Sequence, residues 1–269
     1  MNYRHIYHAG SFADIVKHLV LVAVLEQIIK KEKPFAVLDC FAGIGAYDLS
    51  LDQVVRSGES ESGIKKILTE KKQDLPNLLA KLLSIVSTKD NFYLGSPYII
   101  KTYLRQTDRL IACELHPQDF LKLQANFRKE NNVLVHHMDA YTTPKSLLPF
   151  KESRGIIFLD PSFEIKNEFD KLLIALQIIK QRAANICTII WYPIKNLKSV
   201  QSFYDSCIKI GFREILKLEF AAENIDKNMN KCGVIVINPP NIRNEICLNL
   251  EYLTKNIYED KAQWQILVL

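Results

Sequence analysis

The sequence predicts an α/β fold: a mostly parallel sheet with helices on both faces, carrying a small inserted helical subdomain. Three observations predict it. Short apolar runs alternate with amphipathic stretches along most of the chain. The first apolar run ends in a small-residue turn that includes Gly43 and Gly45. Residues 51–92 interrupt the alternation with a nearly neutral segment of seven Lys/Arg and six Asp/Glu.

Taken in order, the first expected helix covers 11–31. Ser11 is placed to cap it, with Asp14 three residues on and an apolar stripe behind. Lys30, Lys31 and Lys33 complement its dipole before Pro34. A short buried strand, 35–39, runs into the turn Ala42–Gly45. Within 51–92, the stretch SGESESG (57–63) reads as a loop and the remainder as two helices broken near Pro76. A strand at 110–114 and a helix at 117–129 follow, then a strand at 133–137 leading to Asp139. An apolar strand, 155–160, ends in Asp-Pro. A helix at 167–182, a strand at 186–192 and a helix at 197–210 precede β-rich runs at 213–220 and 232–238, which close the sheet. The expectation is one domain, 1–269, with 51–92 as its inserted helical subdomain.

Composition narrows the function classes. The 269 residues are 48% hydrophobic and 24% charged, ordinary for a globular enzyme. A net charge of +5 permits a phosphate-bearing partner without demanding one. The cysteines at 40, 113, 187, 207, 232 and 247 form no CxxC pair, which argues against a zinc knuckle or a redox motif and suits a reducing cytosol. The apolar run 19–25 is too short to span a membrane and does not read as a signal peptide. A cytoplasmic location is expected.

Two motifs carry chemistry. In VLDCFAGIGAYDL (37–49) a strand meets a turn whose glycines let backbone approach a ligand closely. Asp39, Phe41, Gly43 and Gly45 are therefore candidate cofactor contacts, although a plain tight turn has the same look. A nucleotide-type cofactor also needs a carboxylate after the next strand to hold ribose hydroxyls. Glu114 is the first such residue, displaced by the insertion; a surface carboxylate is the alternative. Asp139, after the third strand, is placed to meet an adenine amino group.

The second motif is Asp160-Pro161-Ser162-Phe163 at the end of an apolar strand. Aminomethyltransferases acting on bases use this layout, usually with a second proline in third place. The adenine amino lone pair is delocalised into the ring, so the group is a weak nucleophile. A carboxylate and a backbone carbonyl that accept its two N–H hydrogens turn the lone pair outward and offset the positive charge that forms. Asp160 and the Pro161 carbonyl would be those acceptors. Phe163 would stack on an extruded base, with Ser162 beside it. An ordinary strand-end turn is the alternative. The similar NPPN at 238–241 lacks the aromatic and reads as structural.

The segment YRHIYHAGSFADIVKH (3–18) concentrates polar and aromatic side chains, including three of the six histidines. Its spacing fits no zinc pattern, and no metal is expected. Lys17 and His18 lie on the helix face of Asp14. That face is either solvated or functional, with Lys17 neutralising a cofactor carboxylate and Tyr3, Arg4 and His5 meeting nucleic acid.

Together these stretches, with GSP (95–97), ELHP (114–117), WYPI (191–194) and INPP (237–240), resemble the bacterial 23S rRNA adenine-N6 methyltransferase family of the RlmJ type over nearly the whole chain. The resemblance implies a Rossmann-like class I methyltransferase fold and S-adenosylmethionine as donor. It implies 23S rRNA, naked or partly assembled, as the partner. The sequence shows no interface signal, so a monomer is expected, with no membrane attachment. By motif position it implies that Lys17, His18, Ser96, Glu114, Asp139 and Ala140 contact the cofactor, that Asp160 is the catalytic acceptor, and that Tyr3 contacts RNA. Three residues depart from the family pattern: Ser162 for the second proline, Phe41 for a histidine, and Asn241 for an aromatic. A DNA adenine-N6 methyltransferase and a catalytically weak nucleic-acid or cofactor-binding protein are the competing readings. A nicotinamide-dependent oxidoreductase is opposed by the absence of GxGxxG.

Overall fold

Aliphatic runs without alternation belong in strands buried on both faces, and the central strands take that form. The computed structural model describes residues 5–70, 74–87, 91–222 and 231–268. Its strands are β1 (Ala36–Asp39), β2 (Ala46–Asp48), β3 (Phe92–Leu94), β4 (Arg109–Glu114), β5 (Val133–His137), β6 (Gly155–Leu159), β7 (Cys187–Pro193), β8 (Ile215–Ala221), β9 (Lys231–Ile237) and β10 (Gln263–Val268). Eight form one sheet in the order β10-β8-β9-β7-β6-β1-β4-β5, while β2 and β3 pair separately.

Strands β5, β4, β1, β6 and β7 run parallel; β9 lies antiparallel between β7 and β8, and β10 is antiparallel to β8. From β1 the chain moves out to β4 and β5, then returns to β6 on the other side of β1. The order reverses there, and the crevice beyond the carboxyl ends at such a reversal is where open α/β sheets bind ligands. Register brings the chemistry level: Asp39 stands opposite Ala112 of β4 and Phe158 of β6.

The first helix, Phe12–Ile28, is capped as expected: Ser11 Oγ accepts from Asp14 N. All its residues from Phe12 to Leu25 are buried, Asp14, Lys17 and His18 among them. The solvated-face alternative for Lys17 and His18 is thereby excluded. The helix packs against helices Asn77–Val86, Ser96–Tyr103 and Arg243–Tyr252 and against β9. It ends three residues earlier than the expected 31, and Lys30, Lys31 and Lys33 do not close it. The carbonyls of Ile28, Lys31 and Lys33 are taken instead by Arg154, and those of Lys31 and Lys33 also by Arg105.

The described residues of 51–91 are mostly helical but share the main core. Val54, Ile64, Ile67, Leu78, Leu79, Leu82, Leu83 and Val86 join one apolar cluster with the first helix and the sheet. The expected loop at 57–63 is largely helical, broken by Gly58 at φ 69°, and continues as the π-helical turn Glu61–Lys65. Tertiary contact orders it: Ile64 N donates to Gly10 O at 2.8 Å, and Tyr258 Oη donates to Ser62 O. Helices Ser96–Tyr103, Thr143–Leu147 and Arg243–Tyr252 and the edge strand β10 are further elements not anticipated from sequence. The NPPN stretch is structural: Asn238 Nδ2 donates to the carbonyls of Ala184 and Ile186, at the end of the sheet away from the crevice.

At Gly63 a Cβ would lie 2.0 Å from Gly10 O, so the insertion meets the start of the first helix through bare backbone. Gly63→Ala is expected to lower stability by about 2 kcal/mol or more. Urea unfolding checks this, and a loss under about 0.5 kcal/mol would mean that the two segments part freely.

Candidate active site

A cleft of about 310 Å³ opens at the reversal point. It is lined by residues that follow β1 (Cys40, Phe41, Gly43), β4 (Leu115, His116) and β5 (Asp139, Ala140, Tyr141), by Glu114 at the tip of β4, and by Asp160 and Ser162 after β6. His5 adds a wall from the N-terminal segment, and Glu164, Ile165, Glu168 and Lys171 close the far side.

The turn after β1 is a backbone cradle. Gly43 and Gly45 have φ of 61° and 83°, a region that side chains disfavour. At Gly43 a Cβ would also sit 2.0 Å from Tyr47 Oη. Glu114 secures the turn: Oε2 accepts from Gly43 N at 2.9 Å and Oε1 from His116 N at 2.7 Å. Burial raises its pKa, against the pull of those amides. Ala42 N completes the link by donating to Cys113 O. On the loop after β5, Asp139 Oδ1 accepts from Tyr141 N at 2.8 Å, and Tyr141 meets the Phe41 ring edge-on at 5.6 Å. The Tyr141 hydroxyl donates to the buried Glu168, which joins the two sides of the cleft.

The charged centre lies between the first helix and the end of β6. Lys17 Nζ is 2.6 Å from Asp14 Oδ1 and 2.5 Å from Asp160 Oδ2, with its side chain only 4% exposed. Burial alone would lower the lysine's pKa; the two carboxylates reverse that and raise it above the ordinary value. Burial would likewise raise Asp14, but Lys17 and His5 hold it well below the usual carboxylate range. The second Asp14 oxygen accepts from Gly10 N at 2.8 Å and pairs with His5 Nε2 at 3.2 Å. Asp160 Oδ1 makes no hydrogen bond among the described residues. One oxygen of Asp160 is therefore clamped and the other is available.

Phe163 adopts φ 52°, and its ring packs edge-on to Phe169 at 4.9 Å and Trp191 at 6.0 Å. Trp191 also lies under Lys17, 5.5 Å from ring centre to Nζ. Pro161 is buried and Phe163 half-buried.

Of the residues singled out from sequence, His5, Phe41, Gly43, Glu114, Asp139, Ala140, Asp160 and Ser162 line the cleft. Lys17, Asp39, Gly45, Ser96, Pro161 and Phe163 are not among its lining residues. His18 lies deeper: its Nδ1 is 2.7 Å from Tyr93 Oη, and burial pushes its pKa down to about 3, so it is a neutral core histidine. Tyr3 and Arg4 fall outside the described residues. Sequence reasoning missed Asp14 as a charge partner, together with Tyr141, Trp191, Glu168 and Lys171. The spacing of Asp14 to Lys17 was visible, but its burial was not. Among the described residues no group of His, Cys, Asp or Glu could hold a metal, and no helix is long and apolar enough to cross a membrane.

The parallel sheet with its antiparallel β9 and the cleft at the reversal point define a Rossmann-like class I methyltransferase. The family model "Ribosomal RNA large subunit methyltransferase D, RlmJ" matches residues 32–268, and the chain belongs to that family. It is 33% identical to the "Ribosomal RNA large subunit methyltransferase J" of Haemophilus influenzae strain Rd, over 99% of this chain and 98% of that one. It is 34% identical to the protein of that name from Escherichia coli K12, over 89% and 88% of the two chains. A crystal structure of a Legionella pneumophila protein superposes with a TM-score of 0.88 at 31% identity, covering 97% and 98%.

Asp39 carries a pH signature. It is fully buried, neither carboxylate oxygen has a partner at bonding distance among the described residues, and burial raises its pKa to about 7, opposed by the nearby Ser96 hydroxyl. The folded protein thus holds a proton that the unfolded chain has released, from about pH 4 up to about pH 7. The contribution of Asp39 to stability is fully present below that window and is lost as pH rises through it. Asp39→Asn is expected to flatten this slope and, without donor, to be more stable than wild type at pH 8. Urea titrations at pH 5 and 8 check it; parallel curves for the two proteins would remove the assignment.

Proposed function

We propose that this methyltransferase transfers a methyl group from S-adenosylmethionine to the exocyclic N6 amino group of an adenine in 23S ribosomal RNA. The observation that carries the reading is the half-clamped carboxylate of Asp160, which borders the cleft with Oδ2 on Lys17 and Oδ1 unbonded. A carboxylate so held has one oxygen fixed and one ready to accept an N–H.

The cleft's chemistry suits the donor. Glu114 has its two oxygens oriented by backbone amides, which directs remaining lone pairs toward ribose hydroxyls. Asp139 and the Phe41 ring offer a hydrogen-bond acceptor and an apolar face for an adenine. Asp39, buried and unpartnered, would balance the donor's cationic amino-acid end, with Ser96 beside it. Lys17 is already shared by two carboxylates, so its first role is to hold Asp160 rather than a cofactor carboxylate. When bound, the donor supplies a methyl group on a sulfonium centre.

On the acceptor side, Asp160 Oδ1 accepts one N6–H and the Pro161 carbonyl the other, which turns the nitrogen lone pair toward the methyl group. Transfer would form the N6–methyl bond as the donor's sulfur–methyl bond breaks and S-adenosylhomocysteine leaves; the Asp160 carboxylate would offset the positive charge on nitrogen and take the departing proton. Ser162 leaves a hydroxyl on the cleft wall where the family pattern has proline, and the half-buried Phe163 offers its ring to the extruded base. The names of the two relatives support ribosomal RNA over DNA as substrate.

The test is methyl transfer from labelled donor to deproteinised 23S rRNA, with duplex DNA alongside. Asp160→Ala is expected to lose at least about a thousandfold in transfer while binding S-adenosylhomocysteine as wild type does. Turnover retained within about tenfold would overturn the role given to Asp160, and transfer to DNA alone would overturn the substrate. Glu114→Ala is expected to weaken donor affinity by about tenfold or more, because it removes both the ribose acceptor and the brace on Gly43. Calorimetry checks this, and an unchanged dissociation constant would move the ribose site elsewhere.

A further inference from the structure

The donor's half of the cleft is built by the loops after β1, β4 and β5, so an extruded base must approach Asp160 from the β6–β7 side. That side carries a distinctive rim. Leu159 pairs with Ile190, which sets Trp191 level with Asp160, and the Phe163 ring rests edge-on against Trp191. Four residues beyond Trp191 the chain leaves the sheet as Lys195-Asn196-Leu197-Lys198. On the next strand Pro193 pairs with Cys232, and Ile194 N donates to Lys231 O at 3.0 Å, which brings Lys231 to the same edge. Lys166, on the loop after the catalytic tetrapeptide, completes the set.

Lys166, Lys195, Lys198 and Lys231 are all exposed, and among the described residues none of them is in a salt bridge. No acidic residue occurs between 194 and 199. Amid these lysines Leu197 is 72% exposed, a larger fraction than any other exposed large apolar residue described. The tip that bears it is held in place: Asn196 Oδ1 accepts from Lys198 N at 2.9 Å and Ser199 N at 3.2 Å. An exposed apolar side chain flanked in the chain by Lys195 and Lys198 and held by the Asn196 cap complements a phosphate backbone with a gap in its base stack.

We infer that this rim grips the RNA strand around the target adenine. The lysines neutralise flanking phosphates, and Leu197 enters the stacking position that the extruded base vacates. The inference rests on the RNA-methylation reading above and assigns the surface through which that substrate is held.

The experiment measures binding of deproteinised 23S rRNA across a salt series. It compares wild type, the triple variant Lys195→Ala/Lys198→Ala/Lys231→Ala, and a control triple, Lys31→Ala/Lys33→Ala/Lys151→Ala. The control removes the same charge from exposed lysines at the opposite end of the sheet. The rim triple is expected to bind about tenfold or more weakly at 0.1 M salt and to flatten the log–log salt slope by about 2, as the loss of three phosphate contacts requires. The control is expected to stay within about twofold of wild type. Leu197→Ala is expected to bind RNA nearly as wild type but to turn over about tenfold more slowly at saturating RNA. All variants should bind S-adenosylhomocysteine equally, which reports an intact fold. A rim triple that matches wild type, or two triples that weaken binding equally, would overturn the rim. Full turnover by Leu197→Ala would overturn the wedge. Wild type that binds through the rim yet transfers no methyl to this RNA would instead overturn the activity and leave the surface standing.

Discussion

A lysine ammonium buried between two carboxylates organises this molecule. Taking Lys17 out of water is unfavourable by several kcal/mol unless opposite charge stands at hydrogen-bond distance. Asp14 and Asp160 supply it, one from the same helix and one from the end of β6. Removing Lys17 would leave two buried carboxylates without their cation, a loss of the order of 3–5 kcal/mol, whereas either aspartate alone still pairs with it. The clamp therefore ties the first helix to the loop after β6. Through Asp14 it extends to His5 and Gly10, so the N-terminal segment at the cleft wall is set by the same charges that set the Asp160 carboxylate.

The donor side is built on a different principle. Two glycines in positive-φ conformations bring bare backbone to the crevice, and Glu114 reaches across from β4 to hold one of their amides. The residue proposed to grip a ribose thus also braces the glycine turn. Asp39, at the end of β1, is buried with no hydrogen bond of normal length among the described residues, a destabilised element of the kind that functional sites retain. The fold carries it because the surrounding strands are packed on both faces.

The helical insertion belongs to the same economy of burial. The first helix is apolar nearly all round and cannot be covered by the sheet alone. The turn Glu61–Lys65 and the helix Asn77–Val86 pack against it, and Gly63 meets Gly10 through backbone contact. What reads in sequence as an appended module is a part of the core, and it supports the helix that presents Lys17.

Much of this was legible from residues alone. Unbroken apolar runs in alternation with amphipathic ones determine a parallel sheet, since strands covered on both faces need no polar side. The turn at 42–45 and the tetrapeptide at 160–163 declare themselves because only a few residue types meet their backbone and chemical demands. The short helices, β10 and the ordered stretch at 57–63 were not legible, because tertiary contacts rather than local propensity stabilise them. Nor was the division of labour between Lys17 and His18, adjacent residues in one helix. A one-residue step turns a side chain by about 100°, so one reaches Asp160 and the other Tyr93. Which direction faces the site depends on how the helix is seated on the sheet, and that is set by long-range packing and by a charge 143 residues away in the chain.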